Sequence, residues 1–246
     1  MKDINKKNKK LARELKSFEG IWHGGYFSGY SEKRNQKGLE EYLKINLEGS
    51  TLLEIGCGGG QWSKFIYDLA VYKKIHCVDA LSETHNKFWD YLGEEARTII
   101  NYKQVKDFSL DFIEDNSLDY VFSYDVFCHI SFSGLNAYLE TLSKKCKKNS
   151  KLLIMYADPK KYLISEPENR NHVARYLPNK KLIYNFSRKR LIFDALEDFD
   201  GDPCEGRWYW IGKKNFLEAC LNNGFEIIKE DINVDKTNPI TLFTKK

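Results

Sequence analysis

The stretch Thr51–Gly60, TLLEIGCGGG, constrains the fold of this chain more than any other segment. A short apolar run that ends in an acid is typical of a buried parallel strand. The glycines that follow permit positive φ angles and let a ligand lie against bare backbone. Residues 63–69 continue as a predicted helix, whose first N–H groups face the same turn. Strand, glycine turn and helix together predict a site for a nucleotide-like ligand.

The glycine spacing excludes two familiar versions of such a site. A dinucleotide-binding turn has glycines at its first, third and sixth positions, but counting from Gly56 the sixth position is Gln61. A phosphate-binding Walker loop ends in Gly-Lys-Ser/Thr, whereas Gly60 is followed by Gln and Trp. What remains is the pattern acid-x-Gly-x-Gly-x-Gly, which begins at Glu54.

This pattern resembles the first motif of the class I S-adenosylmethionine (SAM) methyltransferases. A glycine turn in an unrelated α/β protein would lack the further motifs, but here strands are predicted at residues 74–80, 101–108, 117–125 and 151–157. The resemblance spans residues 50–157 and resumes in a C-terminal hairpin at 225–232 and 239–244. It implies an α/β fold, with a doubly wound seven-stranded, mostly parallel sheet, a C-terminal antiparallel strand and an inserted cap after the fifth strand.

The same resemblance implies SAM as cofactor and S-adenosylhomocysteine (SAH) as product. The glycine turn is expected to wrap the methionine part, and Asp79, at the end of the second strand, to bond both ribose hydroxyls. Asp107 and Phe108 stand where the family contacts adenine. The expected cofactor-binding residues are Glu54, Gly56, Cys57, Gly58, Gly60, Asp79, Ala80, Asp107, Phe108, Ser123, Tyr124 and Tyr26.

His129, just beyond the fourth strand, is the candidate catalytic base. Methyl transfer from a sulfonium is an in-line displacement, so the protein mainly has to hold the acceptor against the methyl group in a dry site. A hydroxyl acceptor must also lose a proton, and imidazole is the side chain suited to that near neutral pH. Two alternatives remain open: His129 is simply hydrogen-bonded within its loop, or the acceptor is already an anion and His129 only orients it.

The distribution of charge predicts an anionic acceptor. Net charge is only +4, too small to argue for nucleic acid, but residues 160–190 hold nine Lys and Arg against two acids. Arginine suits phosphate or carboxylate oxygens, unless these residues pair with the acidic segment 194–205 as surface salt bridges. The expected substrate-binding residues are Trp22, Tyr30, Arg170, Arg175, Arg207 and Tyr209.

The predicted function is methyl transfer from SAM to an oxygen of a small, anionic metabolite or sugar. The chain also resembles, less specifically, methyltransferases of bacterial capsule and surface-glycan pathways. In place of the Asn/Asp-Pro-Pro-Tyr turn of enzymes that methylate base amino groups or glutamine amides, residues 123–126 are Ser-Tyr-Asp-Val. The alternatives are N-methylation of a small amine, or a non-catalytic SAM- or RNA-binding module, which the basic residues 2–16 would suit.

One domain, residues 1–246, is predicted in four parts: N-terminal helices and a lid loop (1–48), the SAM-binding core (49–157), a substrate cap (158–210), and a closing helix and hairpin (211–246). Helices are expected at 11–18, 38–47, 135–148 and 213–223. The six cysteines never lie closer than sixteen residues apart, so no metal site is expected. No window is apolar enough to span a bilayer, and no apolar region follows the basic N-terminus. A cytoplasmic protein with a small-molecule acceptor is therefore expected, with neither membrane nor nucleic acid as partner and with the oligomeric state left open.

Overall fold

A seven-stranded sheet forms the centre of the protein. The structure is a computed structural model that describes residues 13–16, 30–44, 49–166 and 208–246, with side chains of the 30–44 helix described from Asn35 onward. The strands are β1 (Ser50–Ile55), β2 (Tyr72–Asp79), β3 (Ile100–Gln104), β4 (Leu118–Ser123), β5 (Cys146–Met155), β6 (Phe225–Lys229) and β7 (Ile240–Lys245).

The sheet has the order β3-β2-β1-β4-β5-β7-β6. Strands β1 to β5 pair in parallel, and β7 pairs antiparallel with both β5 and β6. This arrangement confirms the predicted fold class. The chain runs outward from β1 in one direction and returns at β4 to run in the other, so the carboxyl ends of β1 and β4 flank the crevice where such sheets bind ligands.

Helices cover both faces of the sheet. They are α1 (Tyr30–Lys44), α2 (Gln61–Asp68), α3 (Phe88–Leu92), a 3₁₀ turn (Glu94–Thr98), α4 (Phe132–Lys145), α5 (Pro159–Ser165) and α6 (Lys213–Asn222). Neighbouring residues of β1 belong to opposite core layers: Leu53 packs with residues of α4 and α6, and Leu52 with residues of α1, α2 and α3. Burial on both faces explains why the parallel strands are continuous apolar runs.

Several predicted bounds were wrong by a few residues. Helix α1 begins at Tyr30 instead of residue 38, so Tyr30 opens a helix and does not end a loop. Strand β3 ends at Gln104. The next N–H, that of Val105, still donates to the Asp79 carbonyl oxygen of β2, and the chain then leaves the sheet. Strand β4 ends before Asp125, whose φ of 59° is incompatible with a strand. Strand β5 begins directly after α4.

Asp158 joins the two ends of the segment that was predicted as a cap. Its Oδ1 accepts the Lys161 N–H at 2.6 Å, at the start of α5, and its Oδ2 accepts the Lys213 N–H at 2.8 Å, at the start of α6. One carboxylate therefore caps two helix N-termini. Residues 167–207, which follow α5, lie outside the described residues, as do most of the predicted lid loop and the N-terminal arm.

None of the helices in the described ranges has the length and the apolar character needed to cross a bilayer.

Candidate functional site

A cavity of about 170 Å³ opens at the carboxyl ends of β1, β2 and β4. We call it the central cavity. Its wall combines the glycine turn, the end of β2, the loop after β4 and one residue of a short helical turn at residues 13–16, the N-terminal helical turn. The predicted residues that line it are Gly56, Cys57, Gly58, Asp79, Ala80, Tyr124 and His129.

Three glycines of the turn, Gly56, Gly58 and Gly60, meet two different requirements. All three have positive φ, 76° at Gly56, 49° at Gly58 and 88° at Gly60. A Cβ on Gly56 would lie 2.2 Å from Val126 Cγ2, and one on Gly60 would lie 2.2 Å from Leu92 Cδ1. A Cβ on Gly58 would meet nothing within 4 Å. Two glycines therefore allow close packing of neighbouring elements, and Gly58 presents bare backbone to the cavity.

The Asp79 carboxylate is fixed in place by the backbone. Its Oδ2 accepts the Gly58 N–H at 2.9 Å, and its Oδ1 accepts the Leu81 N–H at 2.8 Å. Burial raises the pKa of this carboxyl above its usual value, and the two N–H donors oppose that rise. Each oxygen keeps lone-pair capacity for one more donor, so the carboxylate can accept both hydroxyls of a ribose.

Glu54 lies beneath the turn and outside the cavity wall. It is 2% exposed, and its Oε2 accepts the Ser63 hydroxyl at 2.5 Å and the Cys77 thiol at 3.5 Å. Burial raises its pKa to about 7, although both hydrogen bonds lower it. In this position Glu54 connects β1, β2 and α2 behind the turn, and it positions the turn instead of facing a ligand.

The loop after β4 is pinned from three sides. The buried Ser123 hydroxyl donates to the Ile55 carbonyl oxygen at 2.9 Å, which joins β4 to β1. The Tyr124 hydroxyl donates to Asp235 Oδ2 and accepts the Asn35 side-chain N–H, both at 2.6 Å. The Tyr124 ring lies 4.6 Å from the Trp62 ring, centroid to centroid, and both line the cavity.

His129 lies in the cavity wall one turn further along the same loop. Its backbone N–H donates to the Val126 carbonyl oxygen at 2.8 Å, and its ring is 5.9 Å from the Trp208 ring. Side-chain donor atoms of Asp125, Cys128 and His129 all lie within 4.8 Å of one another, a set that could hold a metal ion. A metal would need the Cys128 thiolate, which burial disfavours by raising the thiol pKa well above its ordinary value.

The N-terminal helical turn closes one side of the cavity. Glu14 is 2% exposed and accepts the backbone N–H and, at 2.7 Å, the hydroxyl of Ser131. The same Ser131 hydroxyl accepts the Gly134 N–H at 3.1 Å and so caps α4. This anchor brings Leu15 into the cavity wall.

Other predicted site residues lie away from the cavity wall. Asp107 is exposed and its Oδ1 accepts the Ser109 N–H at 2.9 Å. Phe108 is buried, and its ring packs edge-on against the Tyr138 ring at 4.6 Å. Tyr209 is 3% exposed, and its backbone N–H donates to the Cys128 carbonyl oxygen at 2.7 Å. Gly60 is a packing position, as described above.

The remaining predicted residues cannot be placed. Trp22, Tyr26, Arg170, Arg175 and Arg207 lie outside the described residues, and the Tyr30 side chain does too.

The cavity also contains residues that the sequence did not single out. They include Leu15, Trp62, Asp125, Val126, Ile130 and Tyr138. Trp62 directly follows the glycine turn, and Asp125 precedes the candidate base by four residues. Their positions next to the motifs could therefore have identified Trp62 and Asp125 as cavity residues. Leu15 and Tyr138 reach the cavity only through tertiary packing, which the sequence does not show.

A protein-family model described as a methyltransferase domain matches residues 27–230. No curated protein matches the chain. Several solved structures are similar to the chain. One is the 1,6-didemethyltoxoflavin-N1-methyltransferase of Burkholderia thailandensis, with bound 1,6-didemethyltoxoflavin and SAH. Its sequence is 10% identical and its TM-score is 0.63, and the match covers 97% of this chain and 90% of that one. The PH0226 protein of Pyrococcus horikoshii OT3 is 17% identical with a TM-score of 0.59, covering 94% and 99%. The SAM-bound magnesium protoporphyrin IX methyltransferase of Synechocystis is 13% identical with a TM-score of 0.53, covering 91% and 88%. At such identities the structural likeness establishes the fold.

Proposed function

Because the chain belongs to the methyltransferase domain family, we propose that it moves a methyl group from SAM to an oxygen of a small molecule. The enzyme is a SAM-dependent methyltransferase. The observation that carries this proposal is the presence of His129 in the same cavity wall as the glycine turn and Asp79. A base at that position is useful for a hydroxyl acceptor, which has to lose a proton.

The residues of the central cavity fit the cofactor. Gly58 offers backbone with open space in front of it, and Asp79 offers a fixed carboxylate for the ribose hydroxyls. When bound, SAM supplies an electrophilic methyl group on a positively charged sulfur. The protein's part is to hold both reactants, exclude water with the apolar side chains of the wall and accept the hydroxyl proton at the His129 imidazole.

The charge of the wall supports a neutral hydroxyl as the reacting group. Among the described residues, the cavity wall contains two carboxylates, Asp79 and Asp125, and neither Lys nor Arg. Such a wall disfavours a phosphate or carboxylate oxygen as the nucleophile. We also propose that one or two of Arg170, Arg175 and Arg207, which lie outside the described residues, bind an anionic group elsewhere on the acceptor. We therefore propose a hydroxyl of a small anionic metabolite or sugar as acceptor, for example one from capsule or surface-glycan synthesis.

The same two carboxylates favour a second candidate, N-methylation of a small amine. An acidic wall attracts a protonated amine, which could lose its proton to His129 before transfer.

A screen with labelled SAM against two matched sets of compounds, hydroxyl-bearing and amine-bearing, each with and without a phosphate or carboxylate, tests the proposal. Label is expected in anionic hydroxyl compounds, and mass spectrometry of the product locates the new methyl group. Exclusive labelling of amines would overturn O-methylation in favour of the second candidate.

With a hydroxyl acceptor, His129→Ala should lower kcat by roughly 10²–10⁴-fold, the range that general bases contribute. Calorimetry should give nearly unchanged SAM affinity, because the turn and Asp79 are intact. His129→Gln is the matched control, since it keeps a polar side chain but cannot take up the proton. A loss below tenfold in both variants would remove His129 from the role of base.

A further inference from the structure

Asp125 is a cavity residue to which the mechanism above assigns no contact with the cofactor. It follows Tyr124 at the end of β4 and lines the central cavity. Its side chain reaches solvent through the cavity, although the surrounding protein desolvates the carboxyl group. Its φ of 59° places the residue in the left-handed region, which Asp tolerates better than most residues. The backbone of this loop is fixed by Tyr124 and Val126, so the Asp125 carboxylate is held at a defined place in the wall.

The Asp125 carboxylate has the His129 side chain as its positively chargeable neighbour among the described residues. Its single hydrogen bond comes from the Cys128 thiol at 3.4 Å, a weak donor, and none of the ion pairs of the described residues includes it. By contrast, both oxygens of Asp79 accept backbone N–H groups. Asp125 therefore leaves negative charge facing the space that a ligand would fill.

The surrounding protein makes a negative charge on Asp125 unfavourable unless a positive charge lies nearby. Burial raises the pKa of the Asp125 carboxyl, Asp235 adds to the rise, and the positive form of His129 opposes it. The phenol of Tyr124 and the thiol of Cys128 also lie beside it, and burial keeps both protonated by raising their pKa. A positive charge on the ligand would lower the pKa of the Asp125 carboxyl, as the positive form of His129 does.

The position of the loop indicates which part of the cofactor faces Asp125. Val126 packs directly on Gly56, where an added Cβ would lie 2.2 Å away. The loop thus lies against the turn assigned to the methionine part, whereas Asp79 is assigned to the ribose. In SAM the sulfonium joins these two parts, and it is the charged centre that disappears when the methyl group leaves.

We propose that Asp125 distinguishes SAM from SAH by attracting the sulfonium charge. Transfer of the methyl group converts the sulfonium into a neutral thioether, so the attraction is present for the donor and absent for the product. The residue would therefore favour loading of SAM over retention of SAH. The proposal rests on the cofactor alone and is independent of the acceptor.

Calorimetric titration of wild type and Asp125→Asn with SAM, SAH and sinefungin tests it. Sinefungin carries a protonated amine close to the position of the sulfonium. In Asp125→Asn the affinities for SAM and sinefungin should fall on the order of tenfold, the effect of one charge pair in a partly solvated site, whereas SAH affinity should change less than about twofold. Asp111→Asn, which removes an exposed carboxylate outside the cavity wall, is the matched control.

Two results would overturn the proposal. Equal weakening of all three ligands would place the carboxylate at the α-ammonium group, which all three share. Unchanged affinity for all three would mean that Asp125 does not interact with the cofactor. Asn has nearly the same shape as Asp and also tolerates a left-handed backbone, and SAH binding itself reports whether the variant has a folded site.

Discussion

Gly56 and Gly58 lie in the same turn but need glycine for different reasons. Gly56 has φ 76° and packs against Val126, whereas Gly58 has φ 49° and faces open space. Backbone strain is common to both alanine variants. Only Gly56→Ala adds a steric conflict, because its Cβ would lie 2.2 Å from Val126 Cγ2.

Gly56→Ala should therefore lower the free energy of unfolding by about 1–3 kcal/mol more than Gly58→Ala does, which is the usual cost of overpacking. Gly58→Ala should keep most of its stability but bind SAH more weakly, since its methyl group occupies the cavity side of the turn. Urea denaturation and SAH calorimetry measure the two effects. Equal stability of the two variants would contradict the packing of Val126 on the turn.

Glu54 predicts a pH dependence of stability. Its pKa in the folded protein is raised from 4.5 to about 7 by burial, so the folded state holds this proton more tightly than the unfolded state. Stability from this group is therefore fully present below about pH 4.5 and is lost as the pH rises toward 7. In Glu54→Gln this loss should be absent. The free energy of unfolding that wild type loses through this group between low and high pH is at most about 3 kcal/mol.

Urea denaturation of wild type and Glu54→Gln at pH 5 and pH 8 measures this difference. The variant should gain stability relative to wild type at pH 8. Glu114→Gln, at an exposed position, should follow wild type at both pH values. A constant difference between wild type and Glu54→Gln across the two pH values would contradict a raised pKa.

At the scale of elements, Ser131 couples the N-terminal helical turn to α4. Its hydroxyl caps α4 through Gly134 and also donates to Glu14. Ser131→Ala should lower stability by about 0.5–2 kcal/mol, the usual cost of a lost cap. Glu14→Gln should leave the cap intact but weaken the anchor of the N-terminal segment, and with it the position of Leu15 in the cavity wall.

Limited trypsin digestion is the measurement for the anchor, since Arg13 and Lys16 flank Glu14 and Leu15. Cleavage at these sites should be faster in Glu14→Gln than in wild type, and SAH should slow it. As a control, Ser143→Ala removes another α4 hydroxyl, one that donates within the helix to the Glu140 carbonyl oxygen. Equal cleavage rates in all three proteins would mean that the anchor does not hold the segment.

Sequence patterns predicted the existence and order of the elements better than their ends. Glycine spacing and an acid at the end of β2 are local signals, and Gly56, Gly58 and Asp79 all line the cavity. The end of β3 coincides with the end of its partner, since Gln104 pairs with Asp79, the last residue of β2, and such pairing between strands leaves no trace in local composition. The sequence therefore predicted a strand that continues to residue 108. In the structure, Asp107 and Phe108 lie in the loop after β3.

Whole-molecule contacts explain most of what the sequence could not predict. Tyr124 and Asp235 are 111 residues apart, and Glu14 and Ser131 are 117 apart. Hydrogen bonds between isolated polar side chains leave no periodic pattern, unlike the apolar runs that identified the strands. The seven-stranded topology, in contrast, was predictable, because the series of motifs in register resembles a family whose fold is known.

The central cavity joins β1, β2, β4 and the N-terminal turn, so ligand binding should stabilise the whole fold. A ligand that binds only the folded state adds about 2.7 kcal/mol at a concentration of 100 times its Kd. For a chain of this size each kcal/mol raises Tm by about 2–4 °C, so SAH at that concentration should raise Tm by about 5–10 °C.

Asp79→Ala, at the same absolute SAH concentration, should show a much smaller rise, because each charged hydrogen bond lost costs about 1.5–3 kcal/mol of binding. Asp90→Ala, an exposed residue of α3, should show the full rise. Differential scanning calorimetry decides the matter, and a wild-type rise in Asp79→Ala would mean that SAH binds elsewhere than at the end of β2.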